Sequence, residues 1–206
     1  MAAAFAMAAA LAAALFAVAV AAEDRPGLDD ARAFVERIAD EAVRTWAMDH
    51  TDEEARLQAM NSLVHETFAI DFITRAVVGR YWRKLGPAEQ EEFRTLFPRF
   101  VVRIYLPHIA KYSRDHLRID GARARGKRDV VVRSKVRGAE SSEWIETDWR
   151  IRTIDGELRV LDIVVAGVSL ILVQRQEFEA VIRKDGFASL VEQLRERAES
   201  SDSARG

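Results

Sequence analysis

One feature constrains the fold more than any other: the spacing of apolar residues changes at Ser113 and changes back near Gly167. Before Ser113 they recur every three or four positions, as on one face of a helix, and between Leu117 and Val165 they alternate, as on one face of a strand. Helices, then a run of strands, then helices again describe an α+β protein in which helices pack on one face of an antiparallel sheet.

The helical part divides at capping and breaking signals. Ala31, Phe34, Val35, Ile38, Ala42 and Trp46 form the apolar stripe of a helix from Asp29 to about Asp49. Thr51 with Glu54 makes a capping box for a second helix to about Thr67. Asp71 offers a cap for a third helix, through Ala76 to about Trp82, and Gly86-Pro87 punctuates before the next. From Pro87 to Tyr112 a single stripe, Phe93, Leu96, Phe97, Phe100, Val101, Ile104, Tyr105 and His108, is the longest apolar face in the chain. Pro98 and Pro107 remove backbone donors and crowd the preceding turn, so this helix is expected to bend or break near them and to wrap a cavity.

Four strands follow, at Leu117–Arg123, Asp129–Val136, Glu143–Arg152 and Leu158–Val165, separated by turn signals at Gly126, Gly138 and Asp155-Gly156. The short connections suit an antiparallel meander. Val130, Val132, Ser134 and Val136 share one face of the second strand, and Ile145, Thr147, Trp149 and Ile151 one face of the third. Ser169 is placed to cap a helix through Phe178 to Asp185 with Gly186 as its stop, and a last amphipathic helix spans Ala188–Glu199.

The first 22 residues contain no charged side chain and end in Ala19-Val20-Ala21-Ala22 before Glu23, which reads as an export leader cleaved after Ala21 or Ala22. A membrane anchor is the alternative, since about 20 apolar residues just span a bilayer, but alanine dominates where an anchor carries Leu, Ile and Phe. Residues 23–199 are then one domain and 200–206 a small polar tail. The chain has no cysteine, which excludes disulfides, thiol chemistry and a lipidated N-terminal cysteine. A net charge of −2 and the export signal argue against nucleic acid as a partner, although residues 118–137 are rich in Arg and Lys.

Motifs for chemistry are few. His65-Glu66 lacks the second histidine of a zinc hydrolase, because position 69 is alanine, and no metal site is expected. Gly167-Val168-Ser169 lacks the second glycine of a nucleophile elbow, and helix capping explains Ser169 better. Asp162 lies between Leu161 and Ile163 in an apolar strand, where a carboxylate must find a partner or be protonated. It reads as a structural ion pair with Arg80, Arg83 or Arg175, against the alternative of a general base in a cone-shaped isomerase or hydrolase with Tyr81 or Tyr105 as donor. No phosphate loop or dinucleotide fingerprint is present, so nucleotide hydrolysis and nicotinamide chemistry have no support and no such cofactor is expected. The abundant apolar and aromatic surface, taken alone, is more often a filled core than a pocket.

At Ile70-Asp71-Phe72, Gly79-Arg80-Tyr81-Trp82-Arg83, Tyr105, Leu161-Asp162-Ile163, Gly167-Val168-Ser169-Leu170, Gln174-Arg175 and Phe178 the chain resembles the MlaC-type phospholipid-binding family, also called the toluene-tolerance auxiliary family. The similarity runs from about Asp29 to Arg197. Ile70 stands where Phe is common, Gln174 where Tyr or Asn is frequent, and Ile104 where Thr often precedes the tyrosine.

The resemblance implies a curved sheet of four to five strands enclosing an apolar pocket, and a soluble periplasmic carrier without catalytic activity. It implies shuttling of phospholipid between an outer-membrane lipoprotein complex and an inner-membrane ABC transporter with an MCE-domain subunit, in maintenance of outer-membrane lipid asymmetry. A subgroup beside hopanoid biosynthesis genes makes a hopanoid-like lipid the alternative cargo; a third reading is a lipid-independent envelope adaptor. On the carrier reading, the pocket is lined by Phe72, Tyr81, Phe97, Phe100, Val101, Ile104, Tyr105, Val132, Trp149, Ile151, Val160 and Val164. Arg123, Arg125, Lys127 and Arg128 dock an acidic partner, while Asp71, Asp162, Ser169 and Arg175 are structural.

Overall fold

A computed structural model describes residues 25–47, 53–109, 117–137 and 143–199. The leader, the Thr51 cap, the Gly138 turn and the C-terminal tail lie outside that range.

Helix α1 (Leu28–Ala47) carries Asp29 and Asp30 in its first turn and Arg44 in its last, which suits the helix dipole. α2 (Glu53–Thr67) likewise opens on two glutamates and ends where Thr67 Oγ1 donates to the Leu63 carbonyl at 2.6 Å. The next residues are pinned to the sheet: Ala69 N–H donates to the Val160 carbonyl at 2.9 Å. That anchor fixes the start of α3 (Ile70–Val78), whose N-cap is Ala69. Asp71 is therefore not the cap expected of it. It sits inside the first turn, and its carboxylate pairs with Arg94 Nε at 3.1 Å.

A 3-10 turn (Gly79–Lys84) leads to α4 (Pro87–Ile109). Pro87 opens α4 where a missing N–H costs nothing, and Glu89 accepts the Gly86 N–H at 2.7 Å. The expected break does not occur, because α4 continues through Pro98 and Pro107 to Ile109. Pro98 is fully buried on the inner side of α4, and tertiary burial overrides a local helix penalty.

The sheet is a five-stranded antiparallel meander: β1 (Leu117–Arg125), β2 (Asp129–Val136), β3 (Ile145–Ile154), β4 (Glu157–Val165) and β5 (Val168–Ser169). Asp155 and Gly156, both with positive φ, form the two-residue turn between β3 and β4. Two register shifts, at Ile119/Gly121 and at Arg150/Ile151, insert bulges that bend the strands and curve the sheet. α5 (Leu170–Asp185) starts under Ser169, whose Oγ accepts the Leu172 N–H at 3.2 Å, and ends at Gly186; α6 (Phe187–Glu199) follows at once.

Three apolar cores result. Trp82, Phe93, Phe97, Phe100 and Phe178 join Leu190, Val191 and Leu194 in a helical core, with Phe93 stacked on Phe97 at 5.6 Å and edge-on to Phe178 at 5.8 Å. Ala31, Phe34, Val35 and Ile38 of α1 pack on Val130, Val132, Ile151 and Val160 of the sheet. Met60 and Leu63 meet Val102.

Candidate functional site

Between these cores lies a cavity of about 700 Å³, within the range of about 300–1,000 Å³ typical of ligand pockets. One wall is the C-terminal half of α1, from Glu36 and Ile38 to Ala42 and Val43. Opposite it stand Leu117, Ile119, Val136, Ile145, Trp149, Ile163 and Val165 of the sheet. Met60, Leu63 and Val64 of α2, Ile73 and Val77 of α3, Phe97, Pro98, Val101 and Val102 of α4, and Leu170, Ile171 and Gln174 of α5 close the remainder.

The division of the sheet's inner face makes this space. α1 covers only half of it: the part bearing Val130, Val132, Ile151 and Val160 lies under Ala31 to Ile38, each of those four strand residues at 0 % exposure. The other half faces the cavity. Ile38 belongs to both, touching the filled core and lining the void.

Polar groups in the wall are held back from it. Trp149 donates its indole N–H to Ser134 Oγ at 3.0 Å, and Ser134 Oγ donates to the Thr147 carbonyl at 2.7 Å. In place of an ion pair with Arg80, Arg83 or Arg175, Asp162 receives the Ser169 hydroxyl at 2.7 Å and the Ile171 N–H at 3.3 Å, so it fastens the start of α5. Ser169 thus caps α5 as expected and also donates to Asp162. Arg80 pairs with Glu179 and donates to Tyr81 Oη at 3.2 Å. Arg175 Nε donates to the Ala76 carbonyl at 2.6 Å, closing the last turn of α3. The charged residues lining the cavity are Glu36, Asp40 and Asp162, with no Lys, Arg or His among the described residues of its wall.

Of the pocket residues expected from the sequence, the structure brings Phe97, Val101 and Trp149 to the cavity wall. Val132, Ile151 and Val160 lie instead in the core beneath α1, and Phe100 in the helical core beside Phe178. Tyr81 packs partly buried against that helical core. Phe72 lies away from the cavity, near the guanidinium groups of Arg150 and Arg152 at 6.0 and 5.8 Å. Ile104 is exposed, and the side chain of Tyr105 is outside the described range. Val164 pairs with Ser169 and does not line the cavity, whereas its neighbours Ile163 and Val165 do.

The last exchange has a local cause. Trp149 pairs with Ile163 and Ile151 with Val160, so four residues of β4 span three of β3. The bulge shifts the alternation by one, and the cavity-facing residues after Val160 are Ile163 and Val165. Asp162, a charge where strict alternation calls for an apolar residue, was the available sign of that slip. The contributions of α1 and α2 carried no such signal, because an apolar stripe reads alike whether it faces a core or a void.

The exposed cations Arg123, Arg125, Lys127 and Arg128 gather at the β1–β2 turn. This is the end of the strand pair away from Leu117 and Val136.

A family model described as MlaC protein matches residues 34–196. The chain is 22% identical over 137 residues to the toluene tolerance protein ttg2D of Pseudomonas putida, covering 66% of this chain and 63% of that protein. It is 22% identical over 132 residues to the intermembrane phospholipid transport system binding protein MlaC of Haemophilus influenzae, covering 63% of this chain and 62% of the relative. The match thus spans less than two thirds of the length of these curated relatives. The phospholipid-binding protein from Ralstonia solanacearum, solved in complex with a phospholipid, superposes with a TM-score of 0.67 at 26% identity, covering 82% of this chain and 96% of that one.

Proposed function

Because the chain belongs to the MlaC family, we propose that it is a periplasmic carrier that holds a phospholipid by its acyl chains in the cavity between α1 and the sheet. The observation that carries this reading is the half-covered inner face of the sheet, which leaves apolar wall residues facing a void of about 700 Å³. Each methylene left in water costs about 0.8 kcal/mol, so a cavity that takes up both acyl chains offsets the cost of drawing them out of a bilayer while the charged headgroup stays in solvent. The related Ralstonia protein, of the same fold, was solved with a phospholipid bound.

On this reading the leader exports the chain, and the cargo passes between an outer-membrane lipoprotein complex and an inner-membrane ABC transporter with an MCE-domain subunit. That traffic maintains outer-membrane lipid asymmetry. The cations of the β1–β2 turn are the surface offered to an acidic partner. A hopanoid-like lipid is the alternative cargo. We read Asp162 as the fastening of α5, not as a general base, since its carboxylate already receives a hydroxyl and a backbone N–H.

The test is native purification followed by lipid mass spectrometry. Phospholipid is expected in stoichiometric amount, lost when Val101 or Ile163 in the wall is changed to Asp. A folded, lipid-free wild-type chain would sink the carrier reading, and a polycyclic lipid would redirect it to the alternative cargo.

A further inference from the structure

We propose that Arg118, Arg137 and Trp144 form a contact site for the phosphate groups of a phospholipid bilayer, at the end of the sheet that borders the cavity. The proposal rests on the carrier reading and adds to it the place where the carrier meets lipid.

Leu117, Val136 and Ile145 are paired across three strands, and all three line the cavity. Side chains alternate along a strand, so Arg118, next to Leu117, points to the outer face. Arg137 follows Val136 and Trp144 precedes Ile145, which puts them on that same outer face. There the two guanidinium groups lie over one indole, at 4.2 Å for Arg118 and 4.9 Å for Arg137. Lys135 takes the nearby Asp120 at 3.6 Å. Among the described residues no carboxylate stands within ion-pair distance of Arg118 or Arg137, and Arg137 Nε is buried without a hydrogen-bond partner.

Two cations are thus held on one ring, neither matched by a carboxylate among the described residues. A guanidinium stacked on an aromatic face keeps its planar edge free, and that edge matches the oxygens of a phosphate. Tryptophan suits the boundary between headgroups and chains, with an apolar body and a polar N–H. Position adds the decisive point. The other basic cluster, at the β1–β2 turn, is about 26 Å away, taking about 3.3 Å per residue from Leu117 to Arg125. At that end the inner face is filled by α1. Of these two basic clusters, the one at Arg118, Trp144 and Arg137 lies at the end of the strands whose inner face borders the void.

The experiment is co-sedimentation of the purified chain with vesicles of phosphatidylethanolamine and phosphatidylglycerol in equal parts, with tryptophan emission read in parallel. Arg118→Ala and Arg137→Ala are each expected to weaken vesicle binding about fivefold, and Trp144→Phe to remove the emission change. Arg125→Ala/Lys127→Ala at the far end is expected to bind as the parent does.

The proposal is overturned if Arg118→Ala/Arg137→Ala keeps its circular dichroism and binds vesicles like the parent, or if both pairs weaken binding equally. It is also overturned if the parent takes inorganic phosphate but no vesicles. Lipid mass spectrometry on the same proteins separates the two ideas. Cargo retained without vesicle binding defeats only the docking site, whereas absence of cargo from every protein defeats the carrier reading.

Discussion

Trp149 and Ser134 stand on neighbouring strands with the indole N–H of one directed at the Oγ of the other, 3.0 Å away. Tryptophan contributes a large apolar face to the cavity wall only because its single polar group is turned back into the sheet. Ser134→Ala leaves that donor unsatisfied and is expected to cost about 1–3 kcal/mol in urea unfolding. Adding Trp149→Phe removes the orphaned donor, so the double variant should recover part of the loss. Equal stability of the two variants would contradict the argument.

The filled and empty halves of the sheet should respond differently to mutation. Ile151→Ala, under α1, is expected to lose about 2–5 kcal/mol and to keep its cargo once folded. Ile163→Trp occupies the void and should reduce co-purified lipid severalfold while shifting stability by less than about 1.5 kcal/mol. Denaturant midpoints and lipid-to-protein ratios measured on both variants decide the matter.

Asp129 is almost fully buried between Arg150 and Arg152, with Nε–O distances of 2.7 and 2.6 Å. Burial pushes its carboxyl upward, but the hydrogen bonds and charges of Arg152 and Arg150 together outweigh this and hold it below the usual carboxylate range. A folded-state value below the unfolded one, about 3.9, means stability that is complete above that pH and lost as pH falls through it toward the folded value. Unfolding free energy measured from pH 6 downward (roughly six to three) should therefore fall less steeply in Asp129→Asn than in the parent. The variant should also be weaker at neutral pH by about 1.5–3 kcal/mol, the worth of hydrogen bonds to a charged group.

Gly79 follows α3 with φ +62°, and a Cβ there would meet Arg175 Nε at 3.0 Å. Gly79→Ala is expected to cost about 1–3 kcal/mol for the backbone conformation alone, φ +62° with ψ −131°, which L residues rarely adopt. It should also push Arg175 from the Ala76 carbonyl, exposing the end of α3 to faster amide exchange. Unchanged exchange between Val77 and Trp82 would show that Arg175 has room to move aside.

Much of this fold is legible in the sequence, because period and punctuation are local. The change at Ser113, the Asp155-Gly156 turn and the Ser169 cap each depend on a few adjacent residues. What escapes is decided by partners distant in the chain. Asp71 looks like a cap until the Ala69 N–H is given to Val160. Pro98 looks like a break until α4 buries it with Phe97 and Phe100 in the interior. For the cavity, alternation identifies which strand residues point inward but not which of them α1 covers, so Ile151 and Trp149, two positions apart on one face, have different fates. The bulge opposite Arg150 then turns a reading that is right at Val160 into one that is out of step at Val164.

The double membership of Ile38, in core and cavity wall alike, has a mechanical consequence. Beyond it α1 runs nine residues more to Ala47, or about 13 Å at about 1.5 Å per residue, with Ala42 packed on the Met60, Leu63 and Val102 core. A tilt of about 10° of that arm moves its tip by about 2 Å, and what resists it is the contact of Ala42 with α2 and α4 rather than the packing of Ala31, Phe34 and Val35 on the sheet. The chamber's width is thereby set at a different contact from the one that anchors α1 on the sheet.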